Sequence, residues 1–261
     1  MKKRSLKERR RRAKTLVVAG IAVAGLLMVG LAVWGMHQPS IRVRQVTIAG
    51  TNLVREDLVK RVVDDTLAGS YFLIIPRANT FVYPRTEIEE RLVDQFHPIK
   101  SVFVERVGLT AVSVYVTERV PHALWCKEVD AIDECYFMDD EGLIFARAHD
   151  APPELLTFRG GGVTRLGDRY VAGAYEQLYA FVNRVSGATE RTPREVAVDA
   201  EGDAYVTFAE GGELRLVAEE VGDPLLDTIA SVFASRKFEG TPAFDYADFR
   251  FGNKIYVKWR E

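Results

Sequence analysis

The chain is poor in the residues that most often carry chemistry. Its 261 residues include two cysteines, Cys126 and Cys135, and four histidines, His37, His97, His122 and His149. Two cysteines are too few for a disulfide framework or a four-cysteine zinc site. The histidines lie apart, and neither Gly-x-Ser-x-Gly nor His-Glu-x-x-His occurs. There is no low-complexity run. The glycine-rich stretch Arg159-Gly160-Gly161-Gly162 is not followed by Lys-Ser or Lys-Thr, so it lacks the chemistry of a phosphate loop and reads as a flexible loop. No cofactor is implied, and the only catalytic reading left is an enzyme assembled from dispersed residues.

Charge is missing from one long stretch. Residues 16–36 are all apolar or Gly, with no Pro. As a helix this run spans about 30 Å, the thickness of a bilayer's hydrocarbon core. Before it, residues 1–14 carry nine Lys or Arg and one acid, a net of +8, while the whole chain is −2. The positive-inside rule then keeps the tail in the cytoplasm and the rest outside. A cleavable signal peptide is the rival reading. Such segments have a shorter apolar region and a small-x-small site, whereas Trp34-Gly35-Met36-His37-Gln38-Pro39 follows here. An uncleaved anchor over 15–36 is expected. Gly20, Gly25, Gly30 and Gly35 recur every five residues, which spirals them around a helix and makes no dimer seam. The outer part is acidic, against the basic folded domain that nucleic acid favours.

Residues 41–118 read as a first folded unit. A β-branched run at 41–49 ends at Gly50-Thr51-Asn52, a turn signal. Residues 54–67 place Leu58, Val59, Val62, Val63 and Leu67 at helical spacing. A short apolar run at 71–75 closes at Pro76. A second helix begins at Thr86, where Thr86 and Glu89 fit a capping box, and buries Ile88, Leu92, Val93 and Phe96. Strands at 101–107 and 110–117 follow, with Val112, Val114 and Val116 on the buried face. The order is β-α-α-β-β, with two helices expected over one face of a three-stranded sheet.

Residues 119–261 read as a mostly antiparallel β domain with flanking helices, so the class is α+β. Strands at 123–126 and 135–138 flank an acidic loop. Asp139-Asp140-Glu141-Gly142 reads as a solvated turn and not a metal site. Cys126 and Cys135 admit three states: one disulfide, which an oxidising compartment favours; a zinc site with His122, which lacks a fourth ligand; or separate thiols. A helix is expected at 175–185, then strands at 195–199, 204–208 and 213–217. Asp223 reads as the N-cap of a helix at 225–235, with Pro224 in its first position.

A closing hairpin spans 246–259 and turns near Gly252-Asn253. A three-residue loop would pair Phe251 with Ile255 and Phe249 with Val257. It gives one apolar face of Phe249, Phe251, Ile255 and Val257, extended by Trp259. A two-residue loop would pair Phe251 with Lys254 and mix the faces. Period-two consistency predicts the three-residue loop.

The tail, span, β-α-α-β-β unit and segment Thr117-Glu118-Arg119-Val120-Pro121-His122-Ala123-Leu124-Trp125 together resemble the FtsQ/DivIB family of bacterial division proteins. The family's first outer domain is a POTRA domain, whose last strand runs into Glu-Arg-x-Pro-x-Ala. Glu118, Arg119, Pro121 and Ala123 match that pattern. Asp139 to Gly142 resembles the family's Asp-x-x-Gly turn. Asp248-Phe249-Arg250-Phe251, followed by Trp259, is similar to its C-terminal Asp-x-Arg-aromatic segment and later Trp, with Phe251 standing where Tyr is common.

The resemblance implies a non-enzymatic scaffold of the division septum. It would sit as a single-pass type II protein of the inner (plasma) membrane. A last strand would receive a strand from an FtsB/DivIC-like single-span partner, together with an FtsL-like one, through an open sheet edge. Carried over by position, Arg250, Phe251, Asn253, Lys254, Lys258 and Trp259 are the candidate contacts. Phe251 and Trp259 fit equally as ordinary sheet packing. Other division proteins would engage the POTRA domain; neither nucleic acid nor a small-molecule substrate is implied. Two alternatives remain: a POTRA-containing secretion or sensing module with another client, and an extracytoplasmic enzyme. Secretion proteins of the first kind precede a membrane β-barrel, and no barrel-sized series of strands follows here.

Overall fold

The computed structural model describes residues 6–129, 132–171, 173–235, 238, 243–252 and 254–260. Helix α1, Leu6–Met36, takes in the apolar run and begins well before it. Residues Lys14–Met36 are long and apolar enough to cross a membrane or to serve as a signal sequence. The rest is a mixed α/β structure. The chain divides into two compact units, 1–118 and 119–261.

In the first unit, β1 (Gln45–Ala49) lies parallel to β5 (Ala111–Glu118), and β5 lies antiparallel to β4 (Ile99–Val107), in the order β1-β5-β4. Between them run α2 (Glu56–Leu67), a two-residue-per-strand hairpin of β2 (Ser70–Tyr71) and β3 (Ile75–Pro76), and α3 (Arg85–Gln95). The 3.6-residue stripe of α2 buries Val59, Val63 and Leu67. These meet Ile88 and Leu92 of α3 and the inward residues Val104, Val112, Val114 and Val116 of the sheet. Gly50 is required: its φ is +88°, and a Cβ there would lie 2.0 Å from the Val116 carbonyl oxygen.

The expected capping box does not form. Helix α3 starts at Arg85, with Pro84 at the N-cap and no side-chain cap. The Glu89 carboxylate is taken instead by the Val104 amide of edge strand β4, at 2.8 Å, and by Arg85. An unpaired edge N–H competes for the same oxygen that a helix end would use.

The second unit is a nine-stranded sheet. Its strands are β6 (Ala123–Val129), β7 (Ile132–Met138), β8 (Ile144–Arg147), β9 (Thr157–Gly160), β10 (Pro193–Val198), β11 (Asp203–Phe208), β12 (Glu213–Val217), β13 (Phe244–Phe251) and β14 (Lys254–Trp259). They lie in the order β14-β13-β12-β11-β10-β9-β6-β7-β8. Most neighbours are antiparallel, but β9 is parallel to both β6 and β10, and β12 is parallel to β13. Helices α4 (Tyr175–Thr189) and α5 (Asp223–Phe233) share its core with the inward-facing Phe158, Val196, Val206, Leu214 and Ala247.

Several expectations for this unit need correction. The supposed flexible loop at 159–162 begins as β9, an interior strand of the sheet, with Phe158 fully buried. Gly160 has φ +68°, and a Cβ there would lie 2.1 Å from the Val198 carbonyl oxygen, so glycine here permits close strand approach. The acidic turn is not wholly solvated. Asp139 is buried, accepts the amides of Glu141 and Leu143 at 2.9 Å, and pairs with Arg119 at 2.5 Å. Asp223 lies inside α5, after Gly222 at the N-cap, and its carboxylate binds Arg184.

The closing hairpin also differs. Phe251 pairs with Lys254, in place of the Phe251–Ile255 pair that strict alternation predicts. A bulge between Asp248 and Phe251 then shifts the ladder, so that Asp248 faces Tyr256 and Ala247 faces Val257. The extra residue reconciles a short loop with an apolar face. Phe249, Ile255 and Val257 stay in the core as expected, while Phe251 is turned out and 54% exposed.

Candidate partner-binding edge

Strand β14 is one end of the nine-stranded sheet. Among the described residues, no strand pairs with its outer side. An edge of this kind presents unpaired N–H and C=O groups, the template that a further strand requires. Side chains along β14 alternate, with Lys254, Tyr256 and Lys258 exposed and Ile255 and Val257 half-buried. The pleat therefore sends its apolar residues to the core and its long polar and aromatic ones to water.

The six candidate contacts do not share one environment. Phe251 and Lys254 are exposed at the hairpin end. Phe251 meets Tyr256 edge to face, with ring centroids 5.4 Å apart. Arg250 turns inward along the sheet surface. Its guanidinium binds Asp248 through Nε at 2.9 Å and Nη2 at 2.6 Å, and it also binds Asp203. Lys258 pairs with Asp245 at 3.0 Å. Trp259 is 37% exposed and packs on Phe238, with centroids 4.8 Å apart. Asn253 lies outside the described residues. The edge thus gathers Phe251, Lys254 and Lys258 near open strand, while Arg250 holds its own sheet together.

Tyr256 is not among the six candidates that the sequence offers, yet it shares this exposed edge. It is 52% exposed at the centre of β14. An aromatic residue on the wet face of a terminal strand was its only signal, and the face assignment alone did not single it out. The outer face beside β14 continues as alternating aromatic rings and guanidiniums. Arg215 sits 3.9 Å from the Tyr246 centroid, and Arg250 lies 5.7 Å from that of Phe251. Such stacking fixes flat, rigid surfaces in place at an edge.

Electrostatics fix the base of this surface. Burial works against a charge on Asp248, but the hydrogen bonds and charge of Arg250 outweigh it and hold the carboxyl below its usual range. The Asp248 hydrogen bond, joined by that of Asp203, keeps Arg250 still more firmly protonated. Hydrogen bonds from Lys258 and Arg260 hold Asp245 below its usual range as well. The hairpin therefore keeps its charges paired along β13.

The cysteines lie at the other half of the sheet. Cys126 and Cys135 are direct partners in the β6–β7 ladder, with Cα atoms 4.1 Å apart, and they form a disulfide. His122 stacks on Tyr179 with centroids 4.1 Å apart and meets the Tyr175 hydroxyl at 3.4 Å, so it belongs to an aromatic cluster. Among the described residues, no three His, Cys, Asp or Glu side chains gather as metal ligands.

Compared with protein-family models and with curated proteins, the chain matches none.

Proposed function

We propose that this protein is a membrane-anchored, non-enzymatic scaffold that captures a partner strand along β14, in the manner of the FtsQ/DivIB division proteins that it resembles. The observation supporting this most directly is the open outer side of β14 beside two exposed aromatic rings, Phe251 and Tyr256. Main-chain groups would give affinity, and the rings and Lys254 would give selection. On this reading, α1 anchors the chain with its basic end in the cytoplasm, and the first unit is a POTRA domain. Both units stand on the oxidising side, where the Cys126–Cys135 bond persists. The partners are an FtsB/DivIC-like chain and its FtsL-like companion, and the site of action is the septum.

The test uses the full chain in lipid nanodiscs, titrated with the extracytoplasmic segment of the same cell's FtsB-like protein. Binding should protect the β14 amides from hydrogen exchange. Phe251→Ala combined with Tyr256→Ala should weaken it at least tenfold, about 1.4 kcal/mol. Both side chains are exposed, so the fold should survive. Binding that leaves β14 exchange unchanged, or that ignores the double variant, would show that this edge is not the docking strand.

A further inference from the structure

The first unit carries its most exposed apolar side chains beside the end of α1. The turn between β2 and β3 holds Phe72 and Leu73, 90% and 95% exposed, followed by Ile74. Phe81 and Val82, also exposed, lie a few residues on. Strand β3 lies alongside α1. The Asn79 side chain donates to the Met36 carbonyl at 3.0 Å, and the Thr80 amide donates to the Ile41 carbonyl at 2.9 Å. These bonds hold the 72–82 segment next to the residue at which the apolar helix stops.

The turn is made at a backbone cost. Phe72 and Leu73 both have positive φ, 49° and 62°, and the Ile74 amide bonds to the Tyr71 carbonyl across them. Asn-Gly is the usual occupant of such a turn. Here two large apolar residues take an unfavourable conformation and still leave 90% and 95% of their surface exposed. Exposed arginines flank the same end: Arg42 and Arg44 sit just after the helix, and Arg106 stacks over Phe81 with 5.1 Å to the ring centroid. Apolar and aromatic tips with guanidiniums set behind them match the acyl–headgroup boundary of a bilayer, where rings sit at the interface and arginines reach phosphates.

We infer that the Phe72-Leu73-Ile74 turn, with Phe81 and Val82, inserts into the lipid interface around the membrane span. A helix alone leaves the outer unit free to swivel; a second contact beside it sets how that unit stands on the membrane. The inference rests on α1 being an anchor, and the test separates the two.

The full chain is reconstituted in liposomes of phosphatidylethanolamine and phosphatidylglycerol. Cys126 and Cys135 are bonded to each other and are the chain's only cysteines, so a single introduced thiol takes a nitroxide label selectively. Labels are placed by Leu73→Cys and Val82→Cys. Leu26→Cys reports on the span. Leu53→Cys is the water-side control, because the Leu53 amide binds Glu118 at the far end of β5, roughly 23 Å along the strand. The labels at 73 and 82 should relax more with oxygen than with a water-soluble nickel chelate, as at 26, and the order should reverse at 53. If 26 is in lipid and 73 behaves like 53, the anchor stands and the inserted turn is refuted. If 26 is also in water, both fall. If 73 is shielded from both reagents and shows spin–spin broadening that unlabelled protein dilutes away, a second copy covers the turn, and lipid is refuted.

Discussion

Replacing Gly160 by alanine tests whether the 157–160 segment is an interior strand or loose chain. Two costs follow from the structure. Alanine at φ +68° loses about 1 kcal/mol relative to glycine. Its Cβ would also stand 2.1 Å from the Val198 oxygen, so β9 and β10 must part there. That removes the Gly161 amide's 2.8 Å bond to the same oxygen, worth about 1 kcal/mol, and disturbs packing around the buried Phe158. Alanine's stiffer unfolded chain offsets a few tenths to about 1 kcal/mol. The net is a loss of about 1–2 kcal/mol, roughly 3–8 °C in Tm for a unit of this size. Gly162→Ala is the matched control. It has a similar φ of +75° but no atom within 4 Å of the added Cβ, so only the backbone cost applies. The Trp125 indole donates to the Gly160 carbonyl at 3.2 Å, so in a common Trp34→Phe, Trp259→Phe background its fluorescence is a local reporter of melting. Thermal unfolding of the two variants, followed by tryptophan emission and by circular dichroism, gives the comparison. Equal melting of both variants would refute the steric argument and return the segment to a loop.

Two further outcomes are expected. Asp248 in the folded hairpin titrates below the ordinary carboxyl value of about 3.9, so the stability it contributes is complete above that value and is lost as pH falls through the folded one. Asp248→Asn should therefore lower Tm at neutral pH and flatten its decline below about pH 4; an unchanged acid limb in a Tm-against-pH series would count against the Asp248–Arg250 pair. Reducing the Cys126–Cys135 bond, which closes a loop of sequence separation 9, should cost about 2–3 kcal/mol in denaturant unfolding. No shift with reductant, and none in the Cys126→Ser, Cys135→Ser variant, would mean that the β6–β7 ladder already fixes that loop in the unfolded chain.

The elements legible in the sequence are those whose period is long enough to repeat. The stripe of α2 and the alternation of Val112, Val114 and Val116 in β5 each put several residues on one face, and each face is buried. Strand β9 has four residues, one large apolar side chain and a terminal glycine, so it has no period to detect. Its place is decided by neighbours remote in the chain, β6 and β10. The bulge in β13 was illegible for the opposite reason. A strict period of two predicts a single register, and a bulge is one residue that breaks the count. The position of β14 at the sheet end is likewise a fact of strand order, which local pattern does not contain.

The residues that carried the family resemblance illustrate a different limit. Asp248-Phe249-Arg250-Phe251 suggested partner contacts, yet its chemistry builds the bulge. The Asp248 carboxylate accepts the Arg250 amide at 3.1 Å, satisfying an N–H at the point where the ladder slips. The Arg250 guanidinium neutralises that buried carboxylate and reaches across to Asp203 on β11. Phe249 is driven into the core, and Phe251 is turned out against Tyr256. Glu118 and Arg119 behave alike. The Glu118 carboxylate accepts the amides of Asn52, Leu53 and Val54, pinning the end of β5 to the turn before α2. Arg119 locks the Asp139 turn of the second unit. A motif can therefore owe its residues to backbone geometry as well as to any surface that it presents. In this hairpin the charged pair shapes the backbone, and the aromatic residue it displaces, Phe251, is left exposed beside Tyr256.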